Sequence, residues 1–298
     1  MQAARIRTLP LSLSGIMTGS AMALCQGAFD STIFVLALIT TIGFQVTSNF
    51  ANDYGDGVKG TDGADRIGPL RALQSGALDR KSLKRGIVIA VVLTLIVAFL
   101  LINQAFGRDQ MPFVILFIVL GVLSIWAAIR YTMGTSPYGY KGLGDLFVFL
   151  FFGLLGVLGS LFLYTKNIDW PDLLPAIGIG LLCVGVLNLN NLRDMESDQK
   201  HGKITLVVKM GFENGKMYHF CLITLALACF VAYIFVMGPS WWQSFYILAF
   251  IPIMAHGTKV LGTSDPKKLD VELKKLSLST FLLAFLMIFT MKFFCSFG

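Results

Sequence analysis

Stretches of about 20 predominantly apolar residues, the length that crosses a bilayer as a helix, recur along this sequence from end to end. Nine are recognisable, at approximately 9–29, 31–53, 86–106, 112–131, 145–165, 172–192, 217–238, 241–262 and 276–297. Hydrocarbon admits only structures that satisfy their own backbone polar groups, and continuous apolar runs of this length are helices. The connections between them are mostly too short to fold alone. Only 14% of the residues are charged, against roughly 25% in soluble domains. The sequence therefore predicts an all-α integral membrane protein, a single polytopic domain over residues 1–298 with nine transmembrane helices. The first run follows Arg5 and Arg7 as a secretory leader would. It lacks a convincing small-residue cleavage site and eight further runs follow it, so it reads as a retained span.

The net charge of +7 would raise nucleic acid as a partner in a soluble chain, but its distribution points to lipid. With nine spans, all of the 24 Lys and Arg residues except Arg108, Lys166 and Lys292 fall on the side of the N-terminus. The positive-inside rule then predicts a cytoplasmic N-terminus and a C-terminus outside. Trp241 and Trp242 fall on a short outer loop, at the depth where interfacial aromatics gather. The five cysteines (Cys25, Cys183, Cys221, Cys229, Cys295) lie in apolar runs without metal or redox spacing and read as small core residues. Gly15/Gly19 and Gly153/Gly156/Gly159 read as close helix contacts.

Two cytoplasmic loops are long, roughly 53–86 and 193–216, and each opens with acids. In NFANDYGDGVKGTD (49–62) the acids close the second span, and in NLNNLRDMESD (188–198) they close the sixth. A helix C-terminus is already negative and disfavours carboxylates, so the placement calls for cations. Residues three and four apart share a helix face. Asn49, Asn52, Asp53 and Asp56 thus form one polar stripe, and Asn188, Asn191, Asp194 and Asp198 another. Polar residues in membrane helices face the bundle interior or a water-filled cavity. Bringing both stripes together gathers at least four carboxylates, which a hard divalent cation would reconcile. Mg²⁺ in particular takes few protein carboxylates and completes its shell with water and substrate phosphate. Lys59, Arg66 and Arg71 follow the first cluster, and Arg193, Lys200 and Lys203 surround the second. Arg66 and Arg71 sit in DRIGPLRALQSGAL (65–78), where Gly68, Pro69 and Gly76 constrain the backbone. Acids, metal and fixed guanidinium groups together describe a diphosphate site. Equivalent chemistry four spans apart predicts two four-helix halves plus a ninth helix.

These motifs carry a resemblance. NDYGD…KGTD, the Pro- and Arg-bearing loop ending SGAL, and NNLRDMESDQKHGKITL together resemble the UbiA superfamily of intramembrane aromatic prenyltransferases, most closely its 1,4-dihydroxy-2-naphthoate branch. RYTMGTSPYGYKGLGDLFVFLFFG (130–153) is similar to the loop and fifth span of that branch, and the resemblance covers nearly the whole chain. It implies Mg²⁺ and a polyprenyl diphosphate held by Asn52, Asp53, Asp56, Asn191, Asp194 and Asp198, with the four acids catalytic. Diphosphate contacts fall on Arg66, Arg71 and Lys203, with Lys59 and Arg193 as further candidates. It also implies loss of the acceptor's carboxylate as CO₂, giving the demethylmenaquinol of menaquinone biosynthesis. The setting implied is the inner membrane of a prokaryote, with the site facing the cytoplasm. Many members carry a third acid where this chain has Gly60. Here the acid is Asp62, the form of the naphthoate branch, and its role is open. Tyr131, Tyr138 and Lys141, at the cytoplasmic end of spans four and five, are the acceptor candidates. Two alternatives stay open: another aromatic acceptor, or a cation transporter. Against the transporter, the acids lie at one membrane face, and no Pro or Gly break interrupts the second or sixth span near its middle.

Overall fold

In the computed structural model, which describes residues 5, 8–60, 71–73, 75–238 and 241–295 (backbone alone for 294 and 295), all regular structure is helical. The principal helices are α1 (Leu9–Cys25), α2 (Ser31–Lys59), α3 (Arg80–Phe106), α4 (Met111–Arg130), α5 (Gly144–Thr165), α6 (Trp170–Lys200), α7 (Phe212–Met237), α8 (Trp241–Leu261) and α9 (Pro266–Phe293). Eight of them, α2 to α9, are long and apolar enough to cross a membrane; α1 has 17 residues. At the α-helical rise α1 covers about 25 Å, the lower end of the spanning range.

Acids cap the helix starts. Asp30 accepts hydrogen bonds from the amides of Thr32 and Ile33 at 2.7 and 2.9 Å. Asp79 accepts from the Ser82 amide at 2.8 Å, and Asp169 with Asp172 forms a capping box ahead of α6. Each satisfies amides that have no partner in the first turn. At the other end, α2 continues beyond its apolar run to Lys59 and stops at Gly60, whose φ of 72° is left-handed, as a C-terminal glycine allows. Helix α6 likewise runs on to Lys200. Both acidic motifs therefore belong to the last turns of helices rather than to the loops after them.

The bundle is centred on α6, whose apolar window is 67% buried, against 6% for α4. Helix α9 packs along α1, α6 and α8. Helix α4 and the outer face of α3 turn Ile115, Val119, Val122, Val88, Val92 and Phe99 outward, stripes that hydrocarbon solvates and water would not. The middle of α5, Phe149–Gly159, is π-helical. There the helix is pinned by its glycines. A Cβ on Gly153 would lie 2.5 Å from the Gly180 Cα of α6, and one on Gly15 of α1 would lie 2.8 Å from the Phe152 carbonyl oxygen. Two sequence expectations change. Cys25 at the end of α1 and Cys221 on α7 are exposed and Cys229 is half-buried, whereas Cys183 is a core residue, and Trp241 and Trp242 open the 3-10 start of α8 rather than sitting in a loop.

Candidate active site

All four motif acids are buried, Asp53 at 1%, Asp56 at 5%, Asp194 at 4% and Asp198 at 8% exposure. Buried carboxylates require a cation or several donors, and each has them. Asp56 pairs with the Arg71 guanidinium and accepts from the Tyr140 hydroxyl at 2.7 Å. Asp53 pairs with Arg5, and its carboxylate also lies 3.9 Å from Arg71 Nε. Asp194 receives two bonds from Arg193, from Nε at 2.9 Å and from a terminal nitrogen at 2.7 Å. Asp198 holds the Lys203 ammonium at 3.1 Å.

Local packing places these cations. Ala72 is buried with Leu83, against which Phe50 and Tyr54 of α2, Leu73 and Leu78 pack. That small cluster fastens the end of the first loop to α2 and sets Arg71 over Asp56, where the guanidinium also donates to the Asn52 carbonyl at 3.2 Å. Gly55 serves the same assembly from the other side: a Cβ there would lie 2.8 Å from the Thr132 carbonyl carbon. The close approach lets the Thr132 hydroxyl reach the Ala51 carbonyl at 3.1 Å and the Asn52 amide oxygen at 3.3 Å.

Tyr140 joins the two halves. Its hydroxyl donates to Asp56 at the end of α2. Its carbonyl accepts at 3.0 Å from the Ile204 amide, next to the Lys203 that pairs with Asp198 at the end of α6. The Lys59 ammonium stands 4.5 Å over its ring. Both acidic motifs thus face one space.

Beside the first motif, at Asn49 and Asn52, a cavity of about 350 Å³ runs into the bundle among α1 to α6. Asn49, Asn52, Tyr131 and Tyr138 line its polar end, and Leu101, Ile102, Phe117 and Leu163 its far end. Along α2 the lining extends from Ala37 to Asn52, about 22 Å at the helical rise. Tyr131 and Tyr138 meet edge to face with centroids 5.4 Å apart, and Tyr138 donates to the Ala127 carbonyl at 2.8 Å. Burial raises the pKa of the Tyr138 phenol, which stays a neutral hydroxyl.

Across residues 12–279, from α1 into α9, the chain matches the UbiA prenyltransferase family. It belongs to that family. Among its relatives is the 1,4-dihydroxy-2-naphthoate octaprenyltransferase of Haemophilus influenzae, 45% identical over 95% of this chain and 92% of the relative. The Escherichia coli protein of the same name is 43% identical over 89% and 86%. A UbiA homolog from Archaeoglobus fulgidus, solved with DMAPP and Mg²⁺, superposes with a TM-score of 0.62 at 15% identity, covering 97% of this chain and 99% of that one. An apo UbiA homolog from Aeropyrum pernix gives 0.65 at 16% identity, covering 93% and 97%. These structures share the fold.

Within this UbiA chain the expected residues divide. Asn52, Asp53, Asp56, Lys59 and Arg71 gather at the end of α2, and Asn191, Arg193, Asp194, Asp198 and Lys203 at the end of α6. Tyr131 and Tyr138 reach the cavity wall. Lys141 does not join them: in the 3-10 turn Tyr138–Lys141, Tyr140 turns inward and Lys141 is exposed. Arg193 is committed to Asp194 and, at 2.8 Å, to Asp270 of α9. Asp62 and Arg66 lie outside the described residues. Among the described residues, no three Asp, Glu, His or Cys side chains form a ready ligand set for one metal ion. A Mg²⁺ ion needs only one or two protein carboxylates beside substrate phosphate. The buried Asn191 amide oxygen has no hydrogen-bond partner among the described residues, as an oxygen on a cation's side of the stripe would not. The donor set fits Mg²⁺ on those terms. Sequence reasoning missed Arg5 and Tyr140; Tyr140 carried a signal, since it sits between glycines in the same loop as Tyr138.

Proposed function

We propose that this protein transfers a polyprenyl chain from polyprenyl diphosphate to 1,4-dihydroxy-2-naphthoate, with loss of CO₂, giving demethylmenaquinol for menaquinone synthesis. The supporting observation is the union of two facts: near full-length similarity to naphthoate octaprenyltransferases, and two buried Asp motifs bridged by Tyr140, the first of which adjoins an apolar cavity through Asn49 and Asn52. The chain acts as one domain of nine spans, α1 included, with its N-terminus and site on the cytoplasmic side of a prokaryotic inner membrane. The Lys and Arg distribution supports that orientation.

Asp53, Asp56, Asp194 and Asp198, with Asn52 and Asn191, would hold Mg²⁺ together with the donor diphosphate. Bound there, the metal supplies positive charge to the diphosphate oxygens as the C1–O bond stretches. Arg71 and Lys203, already aimed at these carboxylates, donate to the same oxygens, joined by Lys59 from the end of α2 and by Arg66 from the loop that carries Arg71. Arg193 orients Asp194 instead. The isoprenoid lies along the cavity from Asn52 toward Phe117, and the apolar wall keeps water from the allylic carbon. The naphthoate meets that carbon beside Tyr131 and Tyr138, whose neutral hydroxyls can hydrogen-bond its oxygens. One C1–O bond breaks, its electron pair leaving with the diphosphate. One ring C–C bond forms as a ring proton departs, and CO₂ leaves with a proton in its place. A matrix of aromatic acceptors and polyprenyl diphosphates with the purified protein tests the reading. Turnover should be best with 1,4-dihydroxy-2-naphthoate, stop in EDTA and return with Mg²⁺. Preference for a different aromatic acid, or turnover indifferent to chelation, would overturn it.

A further inference from the structure

We infer that Arg5, on the turn ahead of α1, is a further guanidinium of the diphosphate site, parked on Asp53 while the site is empty and moved to the diphosphate when metal binds. This rests on the reading that the two motifs hold Mg²⁺ and diphosphate.

Arg5 is tied to Thr8, not adjacent by chance. The Arg5 carbonyl accepts from the Thr8 amide at 2.8 Å and from the Thr8 hydroxyl at 2.9 Å. The same hydroxyl accepts from Gln45 Nε2 at 3.1 Å and Asn49 Nδ2 at 3.3 Å. One donor and two acceptor positions exhaust a threonine hydroxyl. Gln45, Asn49 and Asp53 are spaced four apart on α2 and share one face. Thr8 therefore sits against the polar stripe of α2, and the Arg5 guanidinium reaches the carboxylate of Asp53.

Asp53 is sealed from solvent and needs positive charge in every state. Arg5 and a metal ion are alternative answers to that need, so they compete for the same carboxylate. Arg5 is suited to yield. Its side chain keeps 20% exposure while that of Arg193 keeps 2%. Its φ of 47° is one that non-glycine residues hold only where contacts impose it. Released beside a diphosphate, its planar fork matches two phosphate oxygens.

The competition gives opposite signs for two ligands, which a merely structural arginine would not. The full chain in lipid nanodiscs is titrated with Mn²⁺ alone, following free Mn²⁺ by electron paramagnetic resonance, and then with inorganic pyrophosphate at saturating Mn²⁺. Arg5→Gln should tighten Mn²⁺ about threefold, the scale of losing one partly exposed competing pair. It should weaken pyrophosphate by about tenfold or more, the scale of one hydrogen bond to a charged group. Arg5→Lys, which keeps a cation on Asp53 and guards against a folding defect, should recover part of the pyrophosphate loss. The exposed Lys84→Ala should change neither affinity. If Arg5→Gln weakens both ligands together, or moves neither, the inference fails while the metal site stands. If Mn²⁺ binds only together with pyrophosphate, the competition and the inference fail while the metal reading stands; if the unsubstituted chain binds no Mn²⁺ with or without pyrophosphate, the metal reading falls and takes the inference with it.

Discussion

Replacing Tyr140 by Phe removes one hydroxyl and leaves the rest of its neighbourhood in place. The carbonyl bond from the Ile204 amide belongs to the backbone, and the ring beneath the Lys59 ammonium is kept, with its cation–π attraction. What is lost is the 2.7 Å bond to Asp56 Oδ1. A hydrogen bond to a charged acceptor contributes about 1.5–3 kcal/mol, or about 10- to 150-fold in an equilibrium. Loss of an outer group that orients a metal ligand typically lowers metal affinity by about 10- to 100-fold. Asp56 retains Arg71 on its other oxygen, so the lower part of that range applies, about 10- to 30-fold. The assay is the Mg²⁺ concentration giving half-maximal prenyl transfer at saturating donor and acceptor, with circular dichroism to confirm unchanged helix content. Tyr140→Phe should raise that concentration while activity at high Mg²⁺ is largely restored. A half-maximal concentration within twofold of the unsubstituted protein, or shifted to lower Mg²⁺, would refute the reasoning. The hydroxyl would then be a lock of the empty site and not a support for the metal ligand.

Arg71→Ala should slow turnover by about 10²-fold, the scale of losing one preorganised transition-state donor, with Arg71→Lys recovering part; Lys84→Ala, equally positive for topology but exposed on α3, should leave the rate unchanged. Lys141→Ala should leave the KM for the aromatic acceptor within about twofold, the small effect usual for an exposed side chain, and a large rise would restore Lys141 to the acceptor site. In a cysteine-depleted background, Ser75→Cys should react with an impermeant maleimide only from the cytoplasmic side and Asn167→Cys only from outside, both positions being exposed; the opposite pattern would invert the topology.

The site was legible where chemistry conflicted with its helical surroundings. Asn and Asp at helical spacing in apolar runs are expensive, and the stripes at the ends of α2 and α6 were readable on that ground alone. Their partners were not, because Tyr140 reaches Asp56 across 84 positions and Arg5 reaches Asp53 across 48. Such contacts depend on how the loops fold back, which local periodicity does not encode. Helix α5 shows a different limit: FLFFGLLGVLG is apolar on every side, so nothing in its pattern separates a π-helical turn from an α-helical one. Helix α9 starts at Pro266, ahead of its apolar run, because charged residues there are matched inside the fold. Glu272 meets His256 at 2.9 Å, and Asp270 meets Arg193. The same logic explains why aspartates mean opposite things along this chain. At helix starts Asp30 and Asp79 bind their own backbone amides, where the dipole favours them, and need no other partner. At helix ends Asp53, Asp56, Asp194 and Asp198 oppose the dipole, and only imported positive charge makes the position tenable. Helix direction was readable from the sequence, so the need for cations was readable too; which cations answer it became visible only when distant segments met.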